Sequence, residues 1–246
     1  MRNSKNQSSS ALEYFEQEYA SFGANAQRKF PNEELCRFLG RNFFHLPFEE
    51  RKNIKILEVG CGSGGNLWAI AREGFSGFGV DISPKAIELC QKMLASYNCS
   101  AELSVTDMSA LPLENEELNA VVDVFSSHCL TKKQGKSFLH EVNRVLRRGG
   151  TFFSYFPSKN SDTWKNEIAA EGDGEVFIDS DTLNGLQRST SPFYGNFHPF
   201  RFLSPKQYES MLESSGFSVT RCETLDRSYY DQTEAFQFIV IEAIKL

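Results

Sequence analysis

The stretch Ile54-Lys-Ile-Leu-Glu-Val-Gly-Cys-Gly-Ser-Gly-Gly-Asn66, followed by Val80-Asp81, decides how this chain folds. Ile54, Ile56, Leu57 and Val59 form an apolar run suited to a strand buried on both faces of a parallel sheet. Gly60, Gly62, Gly64 and Gly65 then remove the Cβ atoms from the turn, so the backbone can bend sharply and approach a ligand closely. A helix is predicted from Asn66 to Glu73, buried through Leu67, Ile70 and Ala71 and capped by Gly74. Phe78-Gly-Val80 reads as the second strand, and Asp81 stands at its carboxyl end, where open α/β sheets bind ligands.

The spacing marks a nucleotide-containing ligand and leaves its identity open. Gly60, Gly62 and Gly65 satisfy the G-x-G-x-x-G pattern of dinucleotide sites, whereas Gly60, Gly62 and Gly64 satisfy G-x-G-x-G. In either case Asp81 is placed to accept hydrogen bonds from ribose hydroxyls.

Further motifs narrow the choice. Glu58-Val-Gly-Cys-Gly-Ser-Gly64, Val80-Asp-Ile82, Thr106-Asp-Met108 and Glu141-Val-Asn-Arg-Val-Leu-Arg-Arg-Gly-Gly150 follow one another as they do in class I S-adenosylmethionine-dependent methyltransferases. From about residue 54 to residue 156 the chain resembles that family. The resemblance implies an α/β fold with a doubly wound, mostly parallel seven-stranded sheet of Rossmann-like type, closed by a C-terminal antiparallel strand pair. It implies S-adenosylmethionine as cofactor, with contacts at Glu58, Gly60, Cys61, Gly62, Gly64, Asn66, Asp81, Ile82, Asp107, Met108 and Asp123. Asp107 takes the family's role of accepting from the adenine amino group, with the next backbone N–H against the ring. One departure is Leu118-Asn119, where the family more often begins its fourth strand with Phe-Asp.

Working outward, residues 1–10 read as a disordered polar tail and 11–246 as a single methyltransferase domain. Its parts are an N-terminal helical lid (11–50), a cofactor-binding core (51–156), a substrate-side insertion (157–203) and a closing helix and strands (204–246). In the lid, Leu12, Phe15 and Tyr19 share one helical face, and Asn32 caps a second helix running to Phe44. N-terminal helices close over the cofactor in many members of the resembled family, which would bring Arg28 and Tyr14 to its carboxylate end. Ser83-Pro84 starts the next helix, Ala101 to Val105 is the third strand and Leu118 to Phe125 the fourth. Thr131 caps a helix carrying Phe138, Val142, Val145 and Leu146 inward to a Gly149-Gly150 stop, and Thr151 to Phe156 is the fifth strand. Glu171-Gly-Asp-Gly-Glu175 reads as a loop. After a helix from Ser204-Pro205, Phe217 to Leu225 and Ala235 to Ala243 are strands joined by a polar turn.

Composition bounds the partners. The 246 residues carry a net charge of -6, which disfavours a nucleic-acid footprint, since phosphate binding needs a basic stripe. Neither a membrane span nor a secretory signal is legible, so a cytoplasmic location is expected. The six cysteines show no C-x-x-C pair and the four histidines are scattered, so no metal site is expected.

The chemistry expected is in-line methyl transfer to oxygen or nitrogen of a small-molecule acceptor such as a sugar, sugar nucleotide or secondary metabolite. His128, following the fourth strand, is the first candidate for a general base, and His198 the second. The aromatic run Ser191-Pro-Phe-Tyr-Gly-Asn-Phe-His-Pro-Phe-Arg-Phe202 reads as a substrate wall, with Tyr194 and Arg201 supplying polar contacts. Two alternatives stand: a non-catalytic S-adenosylmethionine-binding protein and an NAD-dependent oxidoreductase.

Overall fold

A computed structural model describes residues 10–170 and 176–246. A seven-stranded sheet runs in the order β3-β2-β1-β4-β5-β10-β9. Its strands are β1 (Lys55–Val59), β2 (Ser76–Asp81), β3 (Glu102–Val105), β4 (Leu118–Val124), β5 (Leu146–Pro157), β9 (Phe217–Tyr229) and β10 (Glu234–Lys245). The first five pair in parallel, and β10 runs antiparallel to both β5 and β9. The fold is the doubly wound, mostly parallel sheet with an antiparallel closing pair. Strand order reverses between β1 and β4, so their carboxyl ends open a crevice at the topological switch point.

Among the described residues there are seven α-helices: α1 (Ala11–Phe22), α2 (Glu33–Phe43), α3 (Leu67–Arg72), α4 (Pro84–Ser96), α5 (Lys132–Val145), α6 (Asp162–Ala170) and α7 (Pro205–Ser214). Side chains alternate across each strand, so each sheet face has its own core. On one, Ile56, Val122 and Phe153 meet Phe38 of α2, Ile70 of α3 and Ile87 of α4. On the other, Leu57, Val121 and Phe152 meet Phe138 of α5 and Leu212 of α7. Burying each such side chain is worth about 1.5–3 kcal/mol relative to leaving it in water. Local signals agree with this packing: Ser10, Thr131 and Ser204 each form a reciprocal capping box, and Asn32 and Ser83 cap α2 and α4. None of the described helices is long and apolar enough to cross a membrane.

Several boundaries differ from expectation. Ser10, assigned to the tail, is the N-cap of α1; the rest of that tail and the loop at 171–175 lie outside the described residues. The helix expected to run to Gly149-Gly150 stops at Val145. Leu146 adopts extended geometry and pairs with Leu118, its carbonyl accepting from Lys245 Nζ at 2.7 Å, so β5 begins there. The closing hairpin is longer than its apolar pattern, because it continues as a two-stranded ribbon to a tight turn where Tyr230, Asp231 and Gln232 adopt left-handed backbone. The 157–203 segment holds α6 and a small antiparallel sheet of β6 (Phe177–Asp179), β7 (Thr182–Asn184) and β8 (Pro199–Arg201). Strands of three residues are too short to show a period.

Candidate functional site

A cavity of about 700 Å³ opens above the carboxyl ends of β1, β2 and β4 and is roofed by α1 and the segment 26–28. The glycine turn forms its floor. Gly60, Gly62 and Gly64 all have positive φ, at 62°, 53° and 88°, where an L side chain is strained. A Cβ on Gly60 would collide with the Ser126 side chain, and one on Gly62 with Gln27. Gly65 has no such backbone, and a Cβ there would strike the Arg28 carbonyl. Its role is to let the 27–29 segment lie across the turn, not to admit a pyrophosphate. The three left-handed positions are those of the G-x-G-x-G reading.

Acidic groups are held rigidly around this floor. Asp81 Oδ2 accepts from Gly62 N–H and Oδ1 from Ser83 N–H, both at 2.9 Å, and burial raises its carboxyl above the usual range. Glu58 lies deeper; burial pushes its carboxyl up to about 8. Asn66 Nδ2 donates to Glu58 Oε1 at 2.6 Å while Asn66 Oδ1 accepts from Asn32 N–H at 2.9 Å, tying the acid to the start of α2. Glu58 Oε2 is buried without a partner. Arg28 faces Glu58 across the cavity, its guanidinium pulled down by burial and held up by the acid. Asp107 lines the rim with Ile82 and Met108, its Oδ1 accepting from Ser109 N–H at 2.8 Å and Ser109 Oγ at 2.7 Å. Cys61 also lines the floor, and its N–H donates to the Val80 carbonyl at 3.0 Å.

Residues 56–150 match a methyltransferase domain family. Over that segment the chain carries a methyltransferase domain. The match covers the glycine turn, Asp81 and Asp107 and ends where β5 enters the sheet. Among curated proteins, the phthiotriol/phenolphthiotriol dimycocerosates methyltransferase of Mycobacterium leprae is 35% identical over 47% of this chain and 43% of its own. The chain spans about half the length of the first such relatives it matches. Of solved structures, an S-adenosylmethionine-dependent methyltransferase from Methanosarcina mazei superposes with a TM-score of 0.66 at 21% identity, covering 78% of this chain and 92% of that one. Magnesium protoporphyrin IX methyltransferase from Synechocystis PCC 6803, solved with bound S-adenosylhomocysteine, does so at 0.62 and 12%, covering 97% and 95%. At such identities these structures speak to the fold.

The methyltransferase fold brings together most of the residues assigned to cofactor contacts and separates others. Asp123 is fully buried behind the cavity floor and accepts from Ser126 N–H, Ser126 Oγ, Ser127 N–H, Ser127 Oγ and Ser154 Oγ. It anchors the turn after β4 instead of facing a ligand. The two substrate assignments also change. Tyr194 is exposed and packs edge-on against Phe197, away from the cavity lining. Arg201 is buried beneath α5, occupying space that the absent side chain of Gly135 leaves, with Asp179 and Asp181 as its counter-charges. Of the expected N-terminal pair, Arg28 lines the cavity, whereas Tyr14 covers His198 at 4.8 Å between ring centroids.

His128 and His198 are both buried and neither forms part of the cavity lining, although their neighbours Cys129 and Pro199 do. Burial lowers both imidazoles, His198 to about 4, so each is neutral at pH 7 and a weak base. Their place is an aromatic cluster: His128 lies 4.2 Å from Phe125 and 4.5 Å from Phe200 between ring centroids. Phe125 itself has φ of 58°, unusual for a bulky residue, and is held by its N–H donating to the Tyr155 carbonyl at 2.9 Å. That backbone aims its ring between the polar floor and the aromatic wall.

Three contributors have little sequence signal. Glu16 accepts from Ser83 Oγ and from Lys85 N–H at 3.1 Å, docking α1 on the first turn of α4, where the helix dipole favours an anion. Gln27 Oε1 accepts from Ser63 N–H at 3.4 Å, and Tyr19 is buried over the glycine turn. All belong to a segment distant in sequence from the motifs it covers.

Proposed function

We propose that the chain transfers the methyl group of S-adenosylmethionine to a hydroxyl or amine of a small, largely apolar acceptor. The observation that carries this reading is the division of one cavity into a charged end and an aromatic end. Arg28 and the unpartnered Glu58 Oε2 match the carboxylate and ammonium of the cofactor's amino-acid end. Asp81 suits the ribose hydroxyls, and Asp107, with Ile82 and Met108, suits the adenine. The sulfonium then lies between them, with its methyl toward Phe15, Phe125 and Phe193, whose ring faces attract a cation.

An acceptor lone pair attacks the methyl carbon, the C–S bond breaks, its electron pair stays on sulfur, and the acceptor's proton leaves to water. Alignment and exclusion of water carry the step, because neither histidine meets the cavity. The aromatic lining, with Tyr194 and Arg201 removed from it, favours an apolar alcohol or phenol over a sugar. The mycobacterial relatives named for phthiotriol and phenolphthiotriol dimycocerosates support the same preference. Incubation with methyl-labelled cofactor is expected to label apolar phenols and alcohols and to leave sugar nucleotides unlabelled. Label confined to the sugars overturns the acceptor class. Cofactor binding without transfer to any acceptor supports the non-catalytic alternative.

Glu58 adds a pH signature. Raised to about 8 in the ligand-free protein, its carboxyl is mostly protonated at pH 7, and an ammonium placed beside it draws the proton off. Cofactor affinity therefore rises as pH increases from about 6 to about 8, with uptake accompanied by proton release. Glu58→Gln is expected to bind roughly tenfold more weakly, in line with one charge-assisted hydrogen bond, and to lose this dependence. Calorimetry in buffers of different ionisation enthalpy measures the proton. Equal release by the variant contradicts the assignment.

A further inference from the structure

We propose that His128, Cys129 and His198 form a binding site for a zinc-like divalent cation beside the cavity that Cys129 lines. His128 and Cys129 are adjacent in sequence and His198 is distant from them, yet all three sets of ligating atoms lie within 4.8 Å of one another once the turn after β4 packs on β8. His128 Nε2 is 3.6 Å from Cys129 Sγ. A tetrahedral zinc bound at about 2.3 Å to sulfur and about 2.05 Å to nitrogen sets those two atoms about 3.6 Å apart. The first pair of ligands is therefore already at its bound spacing, and only His198 has to close in.

Hydrogen bonding around His198 gives a second, independent reason. Its Nδ1 is 2.9 Å from the Pro199 carbonyl and its Nε2 is 3.3 Å from Asn196 Oδ1, while Asn196 Nδ2 donates to the Phe193 carbonyl at 2.7 Å and so fixes that amide's orientation. A neutral imidazole carries one proton, yet two oxygen acceptors face this ring. With the proton on Nδ1, as the shorter contact requires, the Nε2 lone pair points at a second lone pair. A cation resolves that opposition, and Nδ1 donating to a backbone carbonyl is the arrangement that orients ligating histidines. His128 is a buried ring with the Phe125 backbone beside it, and its Nε2 faces the thiol. On binding, the Cys129 thiol gives its proton to solvent and ligates as thiolate. Asp123, which acts electrostatically on Cys129, offsets the remaining positive charge. Cys129 also lines the cavity, so a fourth position is available to Asn196 Oδ1 or to an acceptor oxygen.

The test is titration of the chelator-treated full chain with Zn²⁺ and with Co²⁺, using elemental analysis for stoichiometry and absorption for ligand type. One Zn²⁺ per chain is expected, and the Co²⁺ form is expected to show a thiolate-to-cobalt charge-transfer band. Cys129→Ser should abolish that band, His198→Gln should weaken binding at least tenfold, and replacing the exposed His140 by Gln should change neither. Absence of the band from the wild-type protein at saturating Co²⁺ overturns the proposal without reference to any variant. Unchanged stoichiometry and band in Cys129→Ser overturn it equally.

Discussion

Replacing Asp81 with alanine is expected to weaken S-adenosylmethionine binding about 100-fold. The carboxylate is aimed before any ligand arrives, because Gly62 N–H and Ser83 N–H each hold one of its oxygens at 2.9 Å. Ribose hydroxyls donating to it form charge-assisted hydrogen bonds, each worth about 1.5–3 kcal/mol, and roughly 1.4 kcal/mol corresponds to tenfold in affinity. Removing both bonds therefore amounts to about two powers of ten. Asp81→Asn keeps an acceptor oxygen but loses the charge, and about tenfold is expected. Calorimetric titration measures both, and wild-type affinity in the alanine variant contradicts the ribose assignment.

The largest effect on stability is expected at Asp123. Five donors converge on this fully buried carboxylate, two of them backbone N–H groups that cannot rotate elsewhere. Asp123→Ala leaves these groups unpaired in an apolar interior, each at about 1–3 kcal/mol before relaxation, and serine hydroxyls can partly re-pair. A net loss of about 4 kcal/mol is expected, which for a domain of this size lowers the melting temperature by about 8–16 °C. Cofactor binding should weaken as well, since Ser126, whose N–H donates to Asp123 Oδ1 at 3.2 Å, packs directly on Gly60. Thermal unfolding of the variant is the check; a melting temperature within about 2 °C of wild type shows that the carboxylate is not the anchor of this turn.

Asp123 also shows where reading a sequence succeeds and where it stops. Asp81 was legible at the end of β2 beside the glycine turn and Asp107 through the family resemblance, and both line the cavity. Asp123 ends a strand too, but strand alternation decides which face it joins. It shares the side of Val121, against α5 and α7, whereas Val124 turns to the cavity. A register shift of one residue would exchange them, and nothing local in Ala120-Val-Val-Asp-Val124 sets the register. The aromatic run at 191–202 poses the same difficulty more strongly. Phe193 and Pro199 reach the cavity, Phe200 and Phe202 fill the core, Arg201 is drawn under α5 and Tyr194 faces solvent. Composition predicted an aromatic wall but could not sort its members, because three-residue strands and turns carry no period. The N-terminal roof was legible as helices, while its docking through Glu16 and the closure of segment 27–29 over Gly65 depend on contacts distant in sequence.

The most direct measurement is thermal unfolding of the purified chain in the presence of S-adenosylmethionine, S-adenosylhomocysteine or NAD(H). A ligand at 100 times its dissociation constant stabilises the folded state by about 2.7 kcal/mol, which for this size raises the melting temperature by about 5–11 °C. The three left-handed glycines, with Gly65 closed against Arg28, require that rise with the two sulfur ligands and none with NAD(H). A rise with NAD(H) alone contradicts the assignment of this cavity to S-adenosylmethionine.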